Sequence, residues 1–178
     1  MLISLGNYNV EIRLLRKMDI TMPYDSPLGE MTMSSNGTSL TGLWFERQRH
    51  APAPDPETKD LTHSAEIPIF QQTREWLDTY FSGREPGFTP PLLLRTTPFR
   101  KAVWEELLTI PFGQTSTYGD IARRIGCTSA RAVGGAVGHN PIALIIPCHR
   151  IIGADGTLTG YAAGIDRKAW LLRLEKME

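Results

Sequence analysis

Three prolines within residues 83–97, at Pro86, Pro90 and Pro91, divide this chain into two stretches of different texture. Proline lacks a backbone N–H and has a fixed φ, so neither a helix nor an interior strand can run through such a segment. The 178 residues must therefore fold as two units joined there, and an apolar fraction of 41% is enough to bury a core. We expect residues 1–93 to form one domain and residues 94–178 the other, giving an α+β protein.

Before the prolines, residues 20–46 alternate apolar and polar side chains, with Asn36-Gly37 between the runs 29–35 and 39–46. Asn-Gly supplies the two positive-φ positions of a tight hairpin turn, so this region should be a small antiparallel sheet. Residues 50–56 carry proline at alternate positions and should be a surface loop. Residues 67–81 space Phe70, Leu77 and Phe81 as a helix does and stop at Gly83. Residues 1–17 show no pattern that assigns them a role.

After the prolines come short helices and tight turns. Thr97-Pro98 opens a helix with Phe99, Val103 and Leu107 on one face. Thr117 and Asp120 resemble a capping box ahead of Ile121, Ala122 and Ile125. Ser129 can cap a second helix over residues 130–139, which Pro141 stops, and two short helices joined by a tight turn read as a helix-turn-helix. Asp166 should cap a final helix that buries Trp170, Leu171 and Leu174.

The charges sum to zero, 19 basic against 19 acidic, which by itself argues against a polyanionic partner. The balance is uneven along the chain: residues 1–93 carry 8 Lys+Arg and 12 Asp+Glu, residues 94–178 carry 11 and 7. A basic half facing nucleic acid and an acidic half serving as scaffold fit that split. The two cysteines, Cys127 and Cys148, offer no disulfide framework, and the longest apolar run, residues 142–146, is too short for a bilayer. These features predict no membrane association and a cytoplasmic protein, nucleoid-associated if the source is prokaryotic.

Residues 140–150, NPIALIIPCHR, are the most informative stretch. An apolar, strand-like run ends at Pro147 and presents Cys148, His149 and Arg150. A thiol held rigidly beside a basic group can be an activated nucleophile, and the same pair also suits a structural cysteine. Zinc is a weak third reading, because no second closely spaced Cys/His pair completes a tetrahedral site. The helix over residues 130–139 is almost bare, with Ala130, Ala132, Gly134, Gly135, Ala136 and Gly138. Glycine is costly inside a helix, so either close helix packing or entry into a narrow minor groove must explain it. Arg131, its one long cation, suits a phosphate contact or insertion into a base stack.

Pro147-Cys148-His149-Arg150, preceded by Gly138-His139-Asn140-Pro141 and followed by Thr159-Gly160-Tyr161, resembles the active-site signature of the O6-alkylguanine-DNA alkyltransferases. Ser26-Pro27-Leu28-Gly29 is similar to the opening hairpin of that family. The resemblance implies a ribonuclease-H-like N-terminal α/β domain without catalytic residues of its own, then a mostly helical C-terminal domain. It implies that Cys148 accepts the alkyl group, that His149 removes the thiol proton through a water, and that Glu175 orients His149. Asn140 would pin the turn beneath the site, and Tyr118 would donate a proton as the base leaves. Tyr161 would wall the pocket, with the Ala162 amide near the guanine oxygen and the Cys148 and Ile151 carbonyls near the exocyclic amine. Arg131 would fill the gap in the duplex, with Ala130, Ala132 and Gly134 on the DNA face. The implied partner is double-stranded DNA bearing O6-alkylguanine, with O4-alkylthymine as a further substrate. No cofactor or metal is implied, and the protein is expected to act as a monomer, cooperativity on DNA being left open.

Two points of chemistry agree with this. A base-paired guanine oxygen is closed to in-line attack by a buried thiol, so the nucleotide must flip out. An alkyl thioether has no carbonyl for water to attack, so each molecule would act once. Ala163 stands where the family has glycine, adding a methyl group at the pocket rim and narrowing the range of bulky adducts. The cysteine-free N-terminal half excludes the zinc site of some members. Cys127 has no assigned role. A DNA-damage sensor without chemistry and a cysteine hydrolase are the rival readings; the thiol beside His149 argues against the first, and the lack of an oxyanion-hole motif against the second.

Overall fold

The computed structural model describes residues 19–51, 59–60 and 67–176. Residues 1–17 and most of the proline-alternating segment, residues 52–56, lie outside the described residues.

Strands β1 (Ile20–Ser26), β2 (Gly29–Ser35) and β3 (Leu40–Phe45) form an antiparallel meander, and β4 (Lys59–Asp60) adds in parallel to β1 to give the order β3-β2-β1-β4. The tightest turn is at Pro27-Leu28, where Ser26 pairs with Gly29 and Gly29 takes φ 104°. The expected two-residue turn at Asn36-Gly37 is instead a four-residue loop in which only Gly37 has positive φ, at 94°. Asn36 acts through its side chain: Oδ1 accepts from the Thr38 and Ser39 amides at 3.1 and 2.9 Å, so it closes the loop without adopting the left-handed conformation. Helix α1 (Pro68–Phe81) starts with proline at its first turn and buries Ile69, Phe70, Thr73, Trp76, Leu77 and Tyr80 against the sheet.

In the second half, side-chain caps set the helix starts. Thr97 accepts from the Arg100 amide to open α2 (Pro98–Leu107). Thr117 accepts from the Asp120 amide and donates to its carboxylate to open α3 (Tyr118–Arg124). Ser129 accepts from the Ala132 amide to open α4 (Ala130–Gly138). Val103, Trp104 and Leu107 meet Ile121, Ala122, Val133, Ala136 and Val137 in a small core, where Trp104 Nε1 donates to the Ala136 carbonyl at 2.9 Å. Two-residue strands β5 (Ser116–Thr117) and β6 (Ile151–Ile152) pair in parallel, joining the start of α3 to the segment that follows Arg150. Helix α5 (Ile165–Leu174) is capped by Gly164 at φ 100°, not by Asp166, which lies in its first turn with its charge near the helix N-terminus.

Residues 140–147 are not a strand. Only Ile142 bridges, to Leu43, with Leu43 N donating to Pro141 O at 2.9 Å and Ala143 N to Leu43 O at 2.7 Å. The chain then turns sharply, with Leu144 at φ 66° and Ile146 N bonded back to Ile142 O. Asn140 satisfies the backbone groups that a sheet ladder would otherwise have taken. The free edge of β3 also holds residues 91–93, through Leu40 N to Pro91 O and Leu93 N to Leu40 O. One strand edge therefore binds both the connection and the start of the Cys148 segment.

Replacing Trp104 by Phe keeps the ring in the core but removes its donor to Ala136. A loss of about 1–2 kcal/mol is expected in urea unfolding, with unchanged far-ultraviolet circular dichroism.

Candidate active site

Glu175 lies just beyond α5, 3% exposed as a residue and with its side chain fully buried. His149 Nε2 donates to Oε1 at 2.6 Å, the Tyr80 hydroxyl donates to Oε1 at 2.7 Å, and the Gly113 amide donates to Oε2 at 3.1 Å. Arg150 Nε reaches Oε2 at 2.9 Å and Nη2 reaches Oε1 at 3.1 Å. Burial alone would raise the carboxyl pKa, but the hydrogen bond from His149 and the hydrogen bonds and charge of Arg150 outweigh it and hold the group down at about 2. Gly113 has to be glycine here, since its φ is 73° and a Cβ would lie 2.8 Å from the Glu175 carbonyl oxygen.

Cys148, His149 and Arg150 form a single buried 3-10 turn rather than the end of a strand. The turn places the thiol and imidazole on one short arc, held by Asn140. Asn140 Nδ2 donates to Ile142 O at 3.2 Å, Ile146 O at 2.8 Å and Cys148 Sγ at 3.1 Å, while Oδ1 accepts from Ile142 N at 3.0 Å. Burial raises the thiol pKa, against the Asn140 bond and the Lys168 charge, which lower it. Burial also lowers the His149 pKa, and the Arg150 and Lys168 charges act in the same direction against Glu175. At rest the pair is thus a thiol and a neutral imidazole. With Nε2 bonded to Glu175, the buried Nδ1 has no hydrogen-bond partner among the described residues and is left as a proton acceptor.

The other residues singled out in the sequence surround this centre. Tyr118, at the first position of α3, packs near Gly134, where a Cβ would stand 3.6 Å from its ring, and its hydroxyl faces Gly160. The Tyr161 ring meets His149 edge-on at 6.5 Å and its hydroxyl is buried without a partner among the described residues. The Ala162 carbonyl accepts from the Arg49 amide at 2.9 Å. Both carbonyls assigned to the guanine amine already have one donor each: Ile151 N for Cys148, and Lys168 Nζ at 2.5 Å for Ile151. Each retains a second lone pair. Away from this cluster, Ala130, Arg131 and Ala132 lie exposed at the start of α4, and Arg131 makes no ion pair among the described residues. Cys127 bonds only within its own turn, to the Ser129 amide and carbonyl.

Four residues around the site have no role assigned from the sequence, although Arg150 stands in the signature itself. Tyr80 and Arg150 hold Glu175. Lys168, fully buried, bonds the Ile151 and Thr159 carbonyls, and its desolvation lowers its pKa to about 8. Arg167 donates to Leu28 O and Ala163 O and lies 4.8 Å over the Phe45 ring, tying the loop before α5 to the sheet. Lys168, Leu171 and Glu175 are spaced i, i+3, i+7, a helical face on which a lysine must find carbonyls.

Fold and site together define a class: a β-sheet domain joined to a helix-turn-helix domain that carries a buried cysteine beside a His–Glu pair. Residues 98–177 match the family model described as 6-O-methylguanine DNA methyltransferase, DNA binding domain, and residues 22–94 match its ribonuclease-like domain. The chain belongs to this family, and its activity is that of a methylated-DNA–protein-cysteine methyltransferase acting in DNA repair. It is 46% identical over 156 residues to the Haemophilus influenzae methylated-DNA–protein-cysteine methyltransferase, covering 86% of this chain and 84% of that protein. The Mycobacterium bovis protein of the same name is 48% identical over 154 residues, covering 85% and 89%. The crystal structure of Mycobacterium tuberculosis OGT in complex with DNA superimposes with a TM-score of 0.74 at 46% identity, covering 88% of this chain and 92% of that one. The ribonuclease-like sheet domain and helical DNA-binding domain expected from the sequence are the ones observed. No helix among the described residues is long and apolar enough to cross a membrane.

The Glu175 pKa of about 2 lies below its ordinary 4.5. Its ionised form therefore stabilises the fold fully above pH 4.5, and that contribution is lost as pH falls from 4.5 towards 2. The difference corresponds to about 3 kcal/mol. Glu175→Gln is expected to lower stability at neutral pH and to flatten its dependence over this range, measured by urea unfolding at pH 7 and at about pH 3.

Proposed function

We propose that Cys148 is the alkyl acceptor and that the hydrogen-bonded set Cys148, Asn140, His149 and Glu175 performs the transfer. The carrying observation is that four positions spread from 140 to 175 converge on one buried centre, with Asn140 on the thiol sulfur and Glu175 on the far nitrogen of the imidazole. His149 Nδ1 takes the thiol proton through a water. The thiolate attacks the alkyl carbon, the sulfur–carbon bond forms as the carbon–oxygen bond breaks, and the electron pair leaves on the base. Tyr118 then supplies a proton to that base, and Glu175 stays ionised and supports the imidazolium. Because the product is a thioether, transfer is stoichiometric, with O6-alkylguanine as the main substrate and O4-alkylthymine as a further one.

Double-stranded DNA is the partner in this reading, supported by the relative crystallised with DNA. The exposed, nearly bare start of α4 suits the minor groove, and Arg131 fills the space of the flipped nucleotide. Residues 1–93 and 94–178 serve as the two domains of a monomer that works in the cytoplasm. Tyr161, Ala162 and Ile151 line the base pocket, and buried Ala163 narrows its rim.

Incubation with a duplex containing O6-methylguanine should add one methyl group to the intact mass, mapped to Cys148 by peptide sequencing, with no gain in Cys148→Ser. An unchanged mass with retained duplex binding would instead indicate a damage sensor. Arg131→Ala should slow transfer from duplex DNA by about tenfold or more, with a smaller loss on the free base. Equal losses on both substrates would count against gap filling.

A further inference from the structure

We propose that Tyr80, contributed by the sheet domain, is a positioning residue of the His149–Glu175 pair: its hydroxyl shares the carboxylate oxygen that accepts from the imidazole and limits how strongly that oxygen holds the imidazole proton. The inference rests on the assignment of Cys148, His149 and Glu175 made above.

The geometry is specific to one atom. Glu175 Oε1 accepts from the Tyr80 hydroxyl at 2.7 Å and from His149 Nε2 at 2.6 Å, and the hydroxyl oxygen stands only 3.2 Å from that nitrogen. Arg150 Nη2 and Nε also reach this oxygen, at the longer distances of 3.1 and 3.2 Å, so Tyr80 and His149 are its two shortest donors, and on an oxygen with two lone pairs each draws electron density from the other's bond. The Tyr80 ring is fully buried, stacked on Trp76 at 5.2 Å and edge-on to Phe81 at 5.5 Å and Phe112 at 5.9 Å. Phenylalanine would fill that space equally well. What tyrosine adds is a hydroxyl that must find a partner when desolvated, and it finds Glu175 across 95 residues of sequence. Burial and the Glu175 charge raise the Tyr80 pKa well above 10, so it remains a donor at every pH at which the protein works.

The ionisable groups around the pair come from every element that packs on it. Arg150 and Cys148 share the 3-10 turn with His149; Lys168 comes from α5, Tyr161 from the loop before it, and Tyr80 from α1. Arg150 and Lys168 are cations and remain in place when Tyr80 is changed. Removing the hydroxyl therefore leaves those charges unchanged and takes one short donor from Oε1: the oxygen becomes a stronger acceptor for the imidazole and His149 becomes easier to protonate. Protonated His149 cannot take the thiol proton, so the acid limb of the transfer rate should move to higher pH.

The test uses the full chain carrying Tyr80→Phe, with Tyr24→Phe as control, since the Tyr24 hydroxyl makes a comparable 2.8 Å bond to Asp78 in the same domain. Single-turnover methyl transfer from an O6-methylguanine duplex is followed by intact mass from about pH 5 to about pH 9, bracketing the histidine range. The midpoint of the acid limb should rise by about half a unit or more in Tyr80→Phe and stay at the wild-type position in Tyr24→Phe. Nitrogen-15 NMR of the His149 ring should show the same shift, and a fluorinated tyrosine at position 80, a stronger donor, should move it the opposite way. A Tyr80→Phe profile that superimposes on wild type after scaling by a constant would overturn the proposal and leave only a packing role. If wild-type protein gains no methyl group at Cys148, the site assignment fails, and the His149 titration still decides the role of Tyr80.

Discussion

A carboxylate withdrawn from water costs several kcal/mol unless its lone pairs are filled, and Glu175 fills them with donors from three separate parts of the chain. Tyr80 arrives on α1, Gly113 on the loop after α2, and His149 and Arg150 on the 3-10 turn. None of these segments can shift without uncovering a buried charge. The same constraint orients the imidazole, because a histidine bonded through Nε2 to a fixed oxygen presents Nδ1 in one direction only. The turn of Cys148, His149 and Arg150 is thus positioned by the electrostatics of one buried carboxylate.

The second organising feature is the β3 edge. An unpaired strand edge is a liability, and here it is covered from two directions, by residues 91–93 and by residues 141–143. The connection that the prolines make irregular is thereby fastened to the sheet, and the Cys148 segment starts from a defined position. Arg49 and Arg167 add two further ties, to the adjacent carbonyls of Ala162 and Ala163. The sheet domain consequently holds both the start of the Cys148 segment and the loop at residues 162–163, so its part exceeds that of a spacer.

Much of this was legible in the sequence because local chemistry decides it. Thr97, Thr117 and Ser129 cap the helices that their positions announce, and the helix-turn-helix follows from the intervals between them. Cys148, His149, Asn140 and Glu175 were legible through family resemblance, and residue pattern alone left the thiol open to a structural reading. The strand expected over residues 140–147 was misjudged because an apolar run looks alike whether its amides bond to a neighbouring strand or to one asparagine side chain. Asp166 reads as a cap in the sequence because a glycine with positive φ leaves no side-chain signature. Tyr80 and Lys168 were hidden for another reason. Each sits on an apolar helical face where its neighbours predict burial, but its polar end is satisfied outside its own helix, for Tyr80 by Glu175 in the other half of the chain and for Lys168 by the carbonyls of Ile151 and Thr159.

The long reach of the Tyr80 to Glu175 bond also bears on the order in which the molecule assembles. Contacts between residues widely separated in sequence require the largest loops to close and are commonly among the last to form. The capped helices and the β1–β2 hairpin are local and need not wait for them. The imidazole is aimed only when that long-range bond and the buried carboxylate are both in place. The burial of Cys148 and the orientation of His149 are thus properties of the completed fold and of no local segment.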